Sequence, residues 1–236
     1  MRILTIANQK GGISKTTTVT NLGAGLHQQG KKVLLIDLDT QGDLSYNMNA
    51  IEPTKSLAQV INGSISLKEA IQHTSSGIDI IPANIDLVEL ESQIVTFDFS
   101  KLSYDYILLD CPPNMTGNTV AAILASDGVL VPTTADYYGY KSVKAISESL
   151  KTLNRKLNGI IITRYTGRMV ISKQVYEDLK ELATEIKTKV YNTQIRECVA
   201  IRESQLMQQD IFSYNDKSTA ALDYMNLVEE ILQEES

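Results

Sequence analysis

The chain has 236 residues, 43% of them hydrophobic, enough for one sizeable core and at most two domains. Its formal net charge is −6 and its apolar residues form no run approaching bilayer length, which argues against a membrane-spanning protein and against an affinity for polyanions spread over the whole surface. Two isolated cysteines argue against a disulfide framework, and an apolar strand at the very start in place of a signal sequence places the expected location in the cytoplasm.

The first predicted strand, residues 3–7, runs into Lys-Gly-Gly-Ile-Ser-Lys-Thr-Thr at 10–17 and then into a helix over 15–29, stopped by Gly30. A strand, a glycine loop and a helix in that order form a phosphate site. Gly11 and Gly12 let backbone N–H groups curl around phosphate oxygens, and the helix presents its positive N-terminus to them. Lys15 then reaches the β and γ phosphates of ATP, while the hydroxyl of Thr16 binds the Mg²⁺ that bridges them. The simple pattern G-x-x-x-x-G-K-[ST] is not met, because Gln9 and Ser14 stand at its glycine positions. The bland alternative is a Gly-rich turn between a strand and a helix.

The second predicted strand, 32–36, delivers Asp37, Asp39 and Asp43 at its carboxyl end, where ligands of parallel sheets are bound. Residues 49–66, interrupted by Pro53 and Gly63, read as irregular surface structure near the nucleotide. A strand at 78–81 and a helix over 84–95 follow. The next strand, 106–110, ends in Asp110-Cys-Pro-Pro, and the prolines forbid its continuation. Asp110 at that tip suits Mg²⁺ held through water, since Mg²⁺ keeps much of its hydration and binds few carboxylates. Cys111 and Cys198 have no Cys or His at ligand spacing, so a metal or redox role is rejected. The segment 116–119 reads either as a nucleotide-responsive loop or as a fixed one.

Strands at 128–131 and 159–163, a short one at 189–191, and helices over 140–157, 172–187 and 219–233 complete the pattern. The expected class is α/β: a mostly parallel sheet with helices on both faces, forming a single P-loop unit over 1–236. Lys and Arg outnumber Asp and Glu by 13 to 6 between 141 and 202, a basic stretch in an acidic chain.

The residues Lys10, Gly11, Gly12, Lys15, Thr16 and Thr17 follow the form K-G-G-x-G-K-T-T and resemble the ParA and MinD family of ATPases, as does the D-x-D-P-Q-G-like run from Asp37 to Gly42. The departures are Ser14 for glycine and Thr40 for proline. The resemblance implies an ATP and Mg²⁺ site formed by Lys10, Gly11, Gly12, Ile13, Ser14, Lys15, Thr16 and Thr17. In that family the extra lysine, here Lys10, crosses a dimer interface to the partner's nucleotide. Lys10, Lys15 and Asp39 are then catalytic, Asp39 positioning the attacking water, and Thr16, Asp37 and Asp110 serve the metal. Thr163 and Arg164 resemble base-contacting residues, as does the 194–196 stretch, with Arg196 open between adenine and DNA.

The same resemblance implies an ATP-dependent homodimer that binds DNA without sequence preference through basic residues of the C-terminal part. Lys189, Arg196, Arg202 and Lys217 are the candidates; an ion pair with a nearby acid is the ordinary fate of each. A centromere-binding, ParB-like adaptor would stimulate hydrolysis and so drive plasmid or chromosome segregation, with the ATPase nucleoid-associated when ATP-bound. Lys10 lies so close to Met1 that the expected form is the short one, lacking an N-terminal helix-turn-helix. The acidic end from Leu227 onward argues against MinD-type membrane attachment. The alternative function is an ATP-dependent scaffold with negligible hydrolysis, for which Ser14 is the reason.

Overall fold

Apolar runs without alternation become the centre of a sheet covered on both faces in the computed structural model, which describes residues 1–50, 52, 54–167 and 170–234. The first half contains β1 (Arg2–Ile6), α1 (Lys15–Gln28), β2 (Val33–Asp37), α2 (Asp43–Asn47), α3 (Leu57–Ile61), α4 (Leu67–Ala70), β3 (Gln72–His73), β4 (Asp79–Ile81) and a 3-10 helix (Ile85–Leu90). It is followed by β5 (Tyr106–Asp110), α5 (Gly117–Ala125), β6 (Gly128–Thr134), α6 (Tyr137–Thr152), β7 (Leu157–Tyr165) and α7 (Val170–Glu185). The chain ends with β8 (Val190–Arg196), α8 (Val199–Leu206), α9 (Ile211–Asn215) and α10 (Thr219–Gln233).

The strands lie in the order β3-β4-β2-β5-β1-β6-β7-β8. Every neighbouring pair is parallel except β3 with β4. Successive residues of a strand face opposite sides, so β2 and β5 split their aliphatic side chains between two cores. Leu34, Ile36, Ile107 and Leu109 pack with Ile123, Val143, Ile146 and Leu179 of α5, α6 and α7. Leu35 and Leu108 pack with Val19, Leu22, Leu227 and Val228 of α1 and α10. Burying one such leucine stabilises the fold by about 1.5–3 kcal/mol.

Two glycines set how closely α1 lies on this second core. A Cβ at Gly23 would sit 2.7 Å from Leu35 Cδ2, and one at Gly25 would sit 2.8 Å from Val228 Cγ2. Close packing anchors the N-terminus of α1 just beyond the carboxyl end of β1. Strands that follow β1 in the chain lie on its β5 side, and those from β6 onward on the other, so the loop after β1 opens into the crevice where the strand order reverses.

The expected parallel sheet is present, but several boundaries differ. The helix expected over 84–95 is only the 3-10 turn Ile85–Leu90, because the chain beyond it runs against the start of α5: a Cβ on Gly117 would lie 2.4 Å from the Gln93 carbonyl. The helix expected over 140–157 is Tyr137–Thr152, started by Asp136, whose side chain accepts from Gly139 N, and ended before Asn154 at φ +53°; Leu157 opens β7 instead. The short strand expected near 189 extends through Arg196, so the 194–196 stretch lies in β8 and does not follow it. Within 49–66, residues 57–61 form α3, and Pro53 lies outside the described residues. The last two residues of the acidic C-terminal end also lie outside them. Thr116 caps α5 by accepting from Thr119 N, which fits the fixed form of 116–119.

Candidate functional site

The loop from Asn8 to Ser14 is held by side chains from three directions. Asn8 is 2% exposed; its Nδ2 donates to Pro132 O at 2.9 Å and to Ser142 Oγ at 3.0 Å, and its Oδ1 accepts from Lys10 N at 3.2 Å. Lys15 Nζ lies 3.4 Å from Lys10 O, Arg164 Nη1 donates to Gly12 O at 3.3 Å, and Thr163 Oγ1 lies 3.1 Å from Ile13 O. Ser14 O accepts from Thr18 N as α1 begins. The carbonyls of residues 10, 12, 13 and 14 therefore have protein donors, which leaves the amide groups to serve an anion.

Gly12 and Ser14 both take left-handed backbone, at φ +71° and +67°. Ser14 thus keeps a turn that glycine would adopt freely, at a cost of about 1–2 kcal/mol for its Cβ. A Cβ on Gly11 or Gly12 would meet nothing within 4 Å, so these two glycines serve the approach of a ligand and the backbone angle, and not internal packing.

Three carboxylates emerge beside the loop. In the register of β2 with β5, Asp37 pairs directly with Asp110. Asp37 is fully buried, accepts from Ser45 N at 2.9 Å and Ser45 Oγ at 2.7 Å on one oxygen, and accepts from Asp39 N at 3.0 Å on the other. Burial pushes its carboxyl up to about 6 in spite of these bonds. Asp110 is 1% exposed, and neither of its oxygens has a hydrogen-bond partner of normal geometry. Burial and the facing Asp37 charge push it well above the usual carboxylate range, while the Thr16 hydroxyl and the Lys15 ammonium pull the other way. Asp39 is half-buried, and its Oδ1 accepts from Gln41 N at 3.0 Å.

An unpartnered buried carboxylate beside a hydroxyl and an ammonium is the donor set that a hydrated Mg²⁺ fits, since the ion removes the cost of burying two facing acids. Lys15 is itself 8% exposed, and burial lowers its pKa against the opposing pull of Asp110 and Asp39. Lys15, Thr16 and Asp39 open on a cavity of about 600 Å³ lined by residues 11–17, Asp39, Gln41, Pro113 and Arg202, with Asp37 and Asp110 buried behind them. Gly12, Ser14 and Thr17 also border a second hollow of about 390 Å³ walled by Ile195, Cys198 and Ile201. The two form a groove with a charged end and a partly apolar end, a shape suited to a nucleotide.

Lys10 lies at the rim. Its ammonium is 3.1 Å from Asp136 Oδ1 and 3.1 Å from Thr134 Oγ1, and 5.8 Å from the Tyr138 ring centre. Partial burial pushes the Asp136 carboxyl up, but the Thr134 hydroxyl, the Gly139 amide and Lys10 together hold it below its ordinary value.

Thr163 corrects the base-contact expectation: its hydroxyl is buried between Ile13 O and Thr133 O, so it supports the loop from below. Arg164 donates to Glu197 Oε2 at 2.9 Å, and Glu197 also accepts from Arg202 at 2.7 Å, closing one wall of the groove. The four candidate DNA residues do not gather. Lys189 pairs with Glu234 at the far end of β8, Arg196 makes a bidentate pair with Asp223, and Arg202 turns into the groove; Lys217 is exposed. Cys111 packs in the core, where burial pushes its thiol up.

Sequence reasoning missed Asn8, Ser45, Asp136, Glu197 and Gln205, the last donating to Thr17 Oγ1 at 2.9 Å. Asn8, Asp136, Glu197 and Gln205 act through contacts distant in sequence and Ser45 through Asp37, eight residues before it; none carries a local signal except Asp136, which stands three residues before Gly139 at a helix start.

A sequence-family model described as an AAA domain matches residues 1–163. The chain is 31% identical to the chromosome partitioning protein ParA of Caulobacter vibrioides over 257 residues, covering 100% of this chain and 95% of that protein. Among solved structures it resembles the cell division ATPase MinD of Pyrococcus furiosus, with a TM-score of 0.86, 26% identity and 98% of each chain covered. It also resembles cobyrinic acid a,c-diamide synthase of Mycobacterium smegmatis with a bound ATP analog and magnesium, with a TM-score of 0.80 and 28% identity, covering 99% of this chain and 95% of that one.

Proposed function

This chain belongs to the ParA/MinD family of P-loop ATPases, and from that premise we propose that it is a ParA-type partition ATPase whose ATP-bound dimer binds DNA. The observation that carries the reading is the meeting of Lys15, Thr16, Asp37, Asp39 and Asp110 at one sheet edge, beside a loop whose carbonyls are already bonded. Its cofactors are ATP and Mg²⁺. Thr16 and Asp110 would hold the metal and Asp37 would order its water shell; when bound, the ion would supply neutralisation of phosphate charge. Lys15, stripped of water, binds the same oxygens. Asp39, held by the Gln41 amide, positions the attacking water.

Lys10 completes the site of a second copy. Leaving Asp136, it reaches the partner's phosphates and stabilises the charge that grows as the γ phosphate departs. The paired chains then bind DNA through the phosphate backbone, without reading sequence and with strong salt dependence. Of the four basic candidates, Lys217 supports this best, because it is exposed and the others hold acids of their own chain. A centromere-binding adaptor that stimulates hydrolysis releases the ATPase from the nucleoid and moves the cargo. Among the described residues no helix is long and apolar enough to cross a membrane.

The second reading, a scaffold that binds ATP and turns it over negligibly, is favoured by Ser14 at φ +67° in the loop. Phosphate release measured with and without duplex DNA and the adaptor separates the two. Stimulated turnover that is lost in Lys15→Ala supports the partition ATPase; ATP binding without stimulated turnover overturns it in favour of the scaffold.

A further inference from the structure

The amino ends of the parallel strands form the edge opposite the phosphate loop, and a second concave site lies there. Lys31 and Lys32 stand where α1 turns into β2, Lys68 lies on α4, and Lys101 precedes β5; with Asp79 and Tyr104 they line a cavity of about 590 Å³. The five residues of β2 separate this cavity from the acids at the other end by about 16 Å. It is therefore distinct from the nucleotide groove.

Its charge is unbalanced. Four lysines share one hollow in a chain of net charge −6, and among the described residues none of the four forms an ion pair. Asp98, which feels the charge of Lys101, is fully exposed. Asp79 is the one acid in the lining, and its carboxylate is already engaged: one oxygen lies 2.6 Å from His73 Nδ1 and the other accepts from the Tyr104 hydroxyl at 2.5 Å. Burial and that bond to Asp79 push the Tyr104 phenol up, so it stays a neutral donor. Val33, Ile71 and Leu102 add apolar wall.

Like charges held together in a hollow repel one another, and low-dielectric walls concentrate their field on whatever enters. An ammonium is a compact charge with three rotatable donors, suited to phosphate oxygens approaching from several directions. The volume lies in the range of about 300–1,000 Å³ typical of small-ligand sites, and the apolar wall offers contact to an organic part. We propose that this cavity binds a small organic phosphate bearing at least two phosphate groups, independently of the nucleotide groove. A concave, partly apolar hollow favours such a ligand over a DNA duplex, whose backbone needs an open surface.

Inorganic tripolyphosphate is the probe for the charged part, titrated by calorimetry into protein saturated with ADP without added metal. The wild type and Lys15→Ala should both show a tripolyphosphate site that weakens with salt. Lys68→Ala/Lys101→Ala, altering two exposed side chains, should weaken that site at least 10-fold while ADP affinity stays within twofold. Absence of the site in Lys15→Ala places all tripolyphosphate binding in the phosphate loop and overturns the proposal, as does equal binding by the double variant. Loss of duplex DNA binding in the double variant, with no tripolyphosphate site in the wild type, assigns the lysines to nucleic acid and also overturns it.

Discussion

The ammonium of Lys10 lies 3.1 Å from the carboxylate of Asp136 in the same chain, so the lysine that leads the phosphate loop is occupied before any partner arrives. Both side chains are partly exposed, which keeps the pair in the weak range of about 0.2–1 kcal/mol. Removing it should therefore tune assembly and not abolish it. Each protomer of a dimer gives up one such pair, so Asp136→Asn should lower the protein concentration needed for ATP-dependent dimerisation by up to about 30-fold. Lys10→Ala should leave the protein monomeric with ATP. Sedimentation velocity with a non-cleavable ATP analogue reads both; a dimer in Lys10→Ala removes the cross-subunit role.

Ser14 caps α1 without a side-chain hydrogen bond and sits at φ +67°. Glycine there loses no cap bond and relieves the Cβ strain, partly offset by the greater freedom of the unfolded chain. Ser14→Gly is expected to raise stability by up to about 1 kcal/mol, seen as a higher Tm without nucleotide. A lower Tm would mean that the serine hydroxyl contributes more than its backbone costs.

The Asp37 carboxyl titrates near 6 in the folded chain and near 3.8 when unfolded, so between those values the folded form binds more protons. Its contribution is favourable at low pH and is lost as pH rises through that window. By linkage, this costs the apo protein up to about 3 kcal/mol at neutral pH. Asp37→Asn should therefore raise the Tm relative to wild type in EDTA at pH 7.5 more than at pH 4.5. A difference between the two proteins that does not vary with pH would contradict this.

A Cβ on Gly139 would lie 2.0 Å from the Thr134 carbonyl oxygen, inside the turn that presents Asp136 to Lys10. Backbone cannot yield as a flexible side chain would. Gly139→Ala is expected to destabilise by more than about 2 kcal/mol, which chemical denaturation would register. A change below about 0.5 kcal/mol would show that the turn shifts freely.

The parallel sheet, the phosphate loop and the acids at 37, 39 and 110 were legible because each is a local signal: an apolar run, glycines beside a lysine, a carboxylate where a strand must stop. The 3-10 turn at Ile85–Leu90 was not, since its apolar spacing also fits a helix and the carbonyls near Gln93 lie against Gly117, 24 residues later in the chain. Thr163 was assigned to the base because position after a strand says nothing about which way a hydroxyl points. Its partner, Ile13 O, is 150 residues away in sequence. For Arg196 and Lys189 the sequence leaves DNA contact and an ion pair both open for the same reason: Asp223 and Glu234 reach them only through the packing of α10 on β8.

Because Asn8 fastens the phosphate loop to β6, and Thr163 and Arg164 fasten it to the neighbouring β7, its shape does not wait for a ligand. Little ordering entropy is then charged against capture of a triphosphate, and affinity reflects direct contacts more than a search among conformers. In the groove wall the Arg164–Glu197–Arg202 pairs are partly exposed to water, so their hold on that side of the site weakens as ionic strength rises.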